Sequence, residues 1–201
     1  MTVAAAGMLG LAFVGCRSSK TVWSKDTPFG KMQKRATEVI EAGGLAGVGV
    51  DVSQSPQTAM DKAKLSARLE LAQIIETKVE LLRKDFVEEI GEAKTDEYNA
   101  LFSSTAKAVA SQILHGTVPV DIQYRTKDGR TEAWVLVVQT PEILENALAN
   151  QASAQRAMYT RFRASEAFKE LQKEIAAFEK YKSDHSWLQA LPETAPKNDS
   201  N

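Results

Sequence analysis

The chain is poor in the side chains that most site chemistry needs. Cys16 is the single cysteine among 201 residues, which excludes an internal disulfide and a metal site built from cysteines. The two histidines, His115 and His185, would need carboxylate help to hold a metal. A formal net charge of −1 leaves no whole-protein field to draw the chain toward nucleic acid or anionic lipid. The first fifteen residues carry no charge, yet they fall short of the ~20 that a membrane-spanning helix requires. What remains is ordinary: 43% apolar and 25% charged residues, the composition of one globular domain with extensions.

The opening "MTVAAAGMLGLAFVG" has the short apolar core and small-residue end of a secretory signal. It lacks a basic leader, since no Lys or Arg precedes Arg17; a start further upstream or a weak signal is expected. Cys16 follows at once, in "GLAFVGCRSSK", and "FVGC" resembles the lipobox of bacterial lipoproteins, with Phe13 where leucine is usual. The resemblance implies cleavage before Cys16 and acylation of its sulfur and its new amino group. Each buried methylene stabilises such an anchor by about 0.8 kcal/mol, and two lipid signals suffice for stable attachment. The bland alternative, a buried core cysteine, would need an all-apolar helix beginning at the first residue. By the same analogy, the absence of an acidic residue at position 17 fits export to the outer membrane. Residues 1–15 are thus expected to be a lipoprotein signal peptide and 16–44 a lipidated N-terminus and tether. Residues 17–35 carry Arg17, Lys20, Lys25, Lys31, Lys34 and Arg35 without clean periodicity, and Trp23 and Phe29 are taken as loosely held.

From residue 45 the patterns sharpen. Val48, Val50 and Val52 alternate with Gly47, Gly49 and Asp51, the period of a strand. "GGLAGVGV" fits neither the dinucleotide fingerprint nor the P-loop, and glycines inside a strand point to close backbone approach. Ser55-Pro56 starts a helix with a capping hydroxyl and a proline in its first turn, and Met60, Ala63, Ala67, Leu71 and Ile74 or Ile75 mark its inner face. Residues 77–90 are ambiguous. Val79, Leu82, Phe86 and Ile90 continue the helical stripe, while "TKVEL" alternates as a strand would, and periodicity alone favours one long helix.

After Gly91, Thr95 can open a second helix with Tyr98, Phe102, Thr105, Val109 and Ile113 on one face and Gly116 at its end. His115 in its last turn is placed to favour the helix dipole. A hairpin follows. Val118, Val120, Ile122 and Tyr124 alternate with polar residues, Asp128-Gly129 signals a type I′ turn, and "AWVLVVQ" is apolar on both faces, as an interior strand is. Pro119 marks the first strand of the pair as an edge or a strand start. Between 141 and 187 Leu144, Leu148, Met158, Phe162, Phe168, Ile175 and Phe178 recur at helical multiples. One long helix is expected there, docking first and then extending to pair with another helix. Arg156, Arg161 and Arg163 are read as a solvated face, and "LPETAPKNDSN" as a disordered tail.

Taken together, the Val-Gly-Val strand, the alanine-bearing helix and the hairpin resemble the LPP-twenty family of small bacterial envelope lipoproteins, which includes a flagellar lipoprotein. The likeness rests on Gly47, Gly49, Ala59, Ala63, Ala67, Arg68, Leu71, Ala72 and the hairpin after Gly116, over about residues 45–148. It implies an α+β fold, an antiparallel sheet of three or four strands packed by two helices; the residues themselves, not the family, give the long C-terminal helical extension over 149–187 and the disordered tail over 188–201. The resemblance also implies a strand near residues 77–87, which we adopt here against the periodicity because so long a helix is unusual in a small domain. The function implied is a non-enzymatic binding or structural module at the bacterial cell envelope, most naturally the outer membrane, in a flagellar-associated or surface assembly. Its partners would be the membrane through acylated Cys16, other envelope proteins, and a homo-oligomer through the C-terminal helix; nucleic acid is not expected. The rival is a lipoprotein regulator of a cell-wall synthase. Catalysis finds no footing: no serine-histidine-acid spacing is present, no cofactor or metal site is expected, and Asp61, Glu70, Glu76 and Glu80 are helix-surface carboxylates.

Overall fold

A computed structural model describes residues 27–91, 95–151, 156–189 and 191. Cys16, Trp23 and the expected signal peptide lie outside them. Among the described residues the order is α1 (Pro28–Glu41), β1 (Leu45–Ser53), α2 (Pro56–Ile90), α3 (Thr95–Gly116), β2 (Pro119–Lys127), β3 (Arg130–Gln139), α4 (Glu142–Gln151), α5 (Arg156–Ala164) and α6 (Glu166–Asp184), then a short 3-10 turn at Ser186–Leu188. The architecture is α+β, with one antiparallel sheet in the order β1-β3-β2.

α1 corrects the expectation of a tether over 16–44. The Thr27 hydroxyl accepts a hydrogen bond from the Gly30 N–H at 3.1 Å, and Pro28 occupies the first helical position. Met32, Ala36 and Val39, spaced by four and three, are buried, and Phe29 packs against them. The helix was hidden because only these few apolar positions punctuate a basic, polar stretch. A turn with Gly43 at φ 90° reverses the chain into β1.

The glycines of β1 are there to let α2 come close. A Cβ on Gly49 would lie 2.0 Å from the Ala63 carbonyl oxygen and 2.3 Å from the Ala67 nitrogen. One on Gly47 would lie 2.5 Å from the Ala67 carbonyl oxygen. With Ala59, Ala63 and Ala67 fully buried opposite, strand and helix meet backbone to backbone. Ser55 caps the helix as expected, its hydroxyl accepting from the Thr58 N–H.

α2 runs unbroken for 35 residues, about 52 Å, so the strand expected near 77–87 is absent. The physical reason is the stripe itself. Beyond the end of the sheet, Ile75, Val79, Leu82 and Phe86 are buried in the main core together with residues of α3, α5 and α6. Thr77 is accommodated by donating its hydroxyl to the Gln73 carbonyl at 2.9 Å. The helix stops at Gly91, whose φ 77°, ψ 174° suits glycine alone.

α3 buries Tyr98, Phe102, Thr105, Val109 and Ile113 as the spacing required. The chain at its end is held by Arg68 of α2, which donates Nη1 to the Leu114 oxygen at 3.4 Å and Nη2 and Nε to the oxygen of Thr117, one residue past the helix, at 2.8 and 3.1 Å. The hairpin turns at Asp128 (φ 51°) and Gly129 (φ 72°), both left-handed as a type I′ turn demands. β3 is the central strand and is covered on both faces. Ala133, Val135 and Val137 join the main core with α2, while Trp134, Leu136 and Val138 join a second core with α1 and the end of α6. Pro119 begins the edge strand β2, with a register shift between it and Asp121.

The single helix expected from 141 to 187 is three helices instead, and they fold back. Ser165 stops α5 and caps α6, its hydroxyl donating to the Phe162 carbonyl at 2.6 Å and accepting from the Phe168 N–H at 3.2 Å. Leu144, Leu148, Met158, Phe162, Phe168, Ile175 and Phe178 are all buried within the chain. The stripe that was read as an extension is therefore core. Leu188 and Leu191 are buried as well, so the start of the expected tail belongs to the fold.

Candidate functional site

Two surface depressions border α2. The first, of about 330 Å³, lies between the turn after α1, the start of β1, α2 and α6. Its walls are mostly apolar, with Ile40, Leu45, Ile74 and Leu81, and Lys78 and Glu174 face each other across it as an ion pair. Glu174 Oε2 is buried with no hydrogen-bond partner among the described residues. Glu70, also on the rim, is already engaged: its Oε2 accepts the Val48 N–H at 2.8 Å from the outer edge of β1. The charges here tie elements together, α2 to α6 and α2 to β1.

The second depression, of about 430 Å³, lies between α2 and α3. Arg83 dominates it, donating Nε to Glu80 Oε2 at 2.7 Å and Nη1 to Asn99 Oδ1 at 2.8 Å. The hydrogen bonds from Arg83 hold the Glu80 carboxyl below its usual range, and hold the guanidinium itself above its own. An Asp or Glu poised as a proton acceptor would show the opposite shift.

The remaining residues singled out from sequence are scattered. His115 is exposed at the end of α3, its Nδ1 2.7 Å from the Ser111 carbonyl. His185 ends α6, its Nδ1 2.7 Å from the Tyr181 carbonyl and its ring stacked on Tyr181 at 3.9 Å. Asp61 is held low by Gln57 and Lys64 on its own helix, and Glu76 lines the Arg83 depression. Among the described residues no group of three His, Cys, Asp or Glu could hold a metal, and no helix is long and apolar enough to cross a membrane. Cys16 lies outside the described residues.

Sequence reasoning missed the Lys78–Glu174 tie, because 96 residues separate its partners and each alone resembles a surface charge. Arg68 was noticed only through the family resemblance; its carbonyl-capping role needs α3 in place. It also missed the exposed apolar residues of β2, Ile122 and Tyr124, since an alternating strand predicts one buried face. Fold and surface thus define an α+β protein in which ion pairs such as Lys78–Glu174 and Arg35–Asp121 tie separate elements together. The chain matches no family model, no curated protein and no solved structure.

Proposed function

We propose that the protein is a non-enzymatic, lipid-anchored envelope protein, a binding or structural module held at the outer membrane by acylated Cys16. The observation that carries this reading is the position of "FVGC" ahead of the fold. Eleven residues separate Cys16 from Pro28, where a capped helix begins. An acylated Cys16 would therefore keep the domain within about 40 Å of the bilayer, and its partners would have to be close to the membrane. The glycine–alanine seam between β1 and α2 lies in the part of the chain that resembles the LPP-twenty family and supports the same reading. The unbroken α2 departs from that family's expected strand, so the anchor carries more weight than the resemblance.

Detergent-phase partitioning of the full-length protein expressed in a bacterial envelope tests the anchor. The parent should enter the detergent phase and Cys16→Ala should stay aqueous, with the parent's N-terminal peptide heavier by its acyl chains. A Cys16→Ala protein that still partitions would sink the proposal.

A further inference from the structure

We propose that the protein self-associates through β2. A second copy would add antiparallel across a two-fold axis at Gln123, joining the two sheets into one of six strands.

The two edges of the sheet are treated differently. On the outer side of β1, the Val48 N–H is taken by the Glu70 carboxylate at 2.8 Å and the Val52 N–H by Asp51 Oδ1 at 2.8 Å. Such side-chain capping blunts an edge against further pairing. On β2 the hydrogen-bonding alternation follows from the hairpin. A two-residue turn makes Lys127 and Arg130 a hydrogen-bonded pair, and the register then pairs Arg125 with Glu132 and Gln123 with Trp134 in the same way. Ile122, Tyr124 and Thr126 consequently direct their N–H and C=O groups outward. Among the described residues nothing hydrogen-bonds those groups. The side chains of Tyr124 (60% exposed) and Ile122 (40%) stand beside them, large apolar groups on an open edge.

The occupant follows from the strand's own order. Read against a reversed copy of itself about Gln123, "DIQYR" places Ile122 opposite Tyr124 of the second copy, twice, as hydrogen-bonded pairs. It places Asp121 opposite Arg125 of the second copy, acid against base, and Gln123 opposite itself. Sliding the copies by one pair puts Ile122 or Tyr124 on the axis and parts Asp121 from Arg125. The charged groups also belong to existing networks. Asp121 Oδ2 accepts from Arg35 at 2.8 Å and from Gln123 at 3.1 Å, and Arg125 donates to Glu132 at 2.9 Å. They therefore select the register, while the main chain and the two apolar pairs supply the affinity. The axis of such a continuous sheet runs normal to it, so both copies of α1 lie on one side. If Cys16 is acylated, both anchors can reach the same membrane, although the pairing itself does not rest on the anchor.

Sedimentation equilibrium on the full chain tests this, with Gln123→Lys, Gln123→Glu and their equimolar mixture. The parent should dimerise reversibly. Each variant alone sets like charges face to face on the axis and should raise the dimer Kd about tenfold or more, and mixing should restore it. Circular dichroism checks that each variant is folded. Should either fail to fold, Gln123→Cys in a Cys16→Ser background is the second measurement. Residues in a non-hydrogen-bonded pair sit about 4.5 Å apart at Cα, within disulfide reach, so oxidation should give a covalent dimer. Val52→Cys on the capped β1 edge should not. A parent that stays monomeric up to about 100 µM, variants that dimerise as tightly as the parent, or cross-linking at Val52→Cys in place of Gln123→Cys would each overturn the proposal.

Discussion

Tyr181 carries a hydroxyl that the fold buries with no hydrogen-bond partner among the described residues, between Phe178 and His185, whose rings stack on its own. Burial, and then the nearby Glu38 carboxylate, pushes its ionisation above the usual 10.0, with Arg35 opposing. An acid whose pKa is raised by folding is held neutral in the native state while the unfolded chain ionises at its ordinary pH. Its contribution to stability is complete below pH 10.0 and is lost as pH rises past that value toward the higher folded pKa. Tyr181→Phe keeps the stacked ring and removes the stranded hydroxyl, so it should stabilise by about 1 kcal/mol at neutral pH. The variant should also lose part of the alkaline fall in Tm, read by thermal melts from pH 8 to pH 11. Gly49 is the opposite case, a place where adding one atom should be costly. Its new Cβ would meet backbone on the facing helix at 2.0 Å, and backbone cannot step aside as a side chain can. Gly49→Ala should destabilise by about 3 kcal/mol or more in urea titration. Gly91→Ala, where no atom lies within 4 Å, should cost only about 2 kcal/mol, and that through its positive φ alone.

Ser165 sets the geometry of the C-terminal helices. Its hydroxyl ends α5 and starts α6, and Glu89 of α2 accepts the neighbouring Glu166 N–H at 2.8 Å, fixing where the new helix begins. Ser165→Ala should cost about 1–2 kcal/mol, the upper part of the range for a cap because the site is buried, measured as a shift in the urea midpoint. This break also marks a limit of what the residues disclosed. Capping serine, proline at a helix start and Asp-Gly at a hairpin each act through their immediate neighbours, so α2's beginning and the β2–β3 turn were legible. Ser165 has the same chemistry, but it sits in an apolar pattern whose helical phase passes straight through it. α1 shows the reverse: Thr27-Pro28 carried the same signal as Ser55-Pro56, yet a run of basic residues masked Met32, Ala36 and Val39. At residues 77–87 the periodicity was the sounder guide, because Val79, Leu82 and Phe86 are spaced for a helix and are buried as one. The Lys78–Glu174 tie was beyond reach, since nothing local to either residue names the other.

At the scale of the molecule, α2 serves two partners in succession. Its first half lies on the sheet through alanines; its second half runs beyond the sheet and is enclosed by α3, α5 and α6. There Phe86, Tyr98, Phe102, Phe162 and Phe168 form a chain of ring contacts, Phe86 edge-on to Tyr98 at 5.0 Å and to Phe162 at 5.5 Å. Two of those five rings come from beyond residue 151. So do Leu171, Ile175 and Phe178, the last of which sits in the second core against Gly44 and Val39. An appended oligomerisation helix could be removed with the domain intact, whereas these helices close both cores at once. Truncation after Gln151 would uncover the second half of α2 and the part of the second core that Phe178 closes beside α1, several large apolar side chains at about 1.5–3 kcal/mol each, a loss comparable to the whole margin of about 5–15 kcal/mol of a typical domain. The truncated chain should bind a hydrophobic dye, lose its near-ultraviolet circular dichroism and aggregate. A truncated protein that still unfolds cooperatively would show that the sheet and the first half of α2 stand alone. The C-terminal helices would then be a detachable module, free to serve a partner.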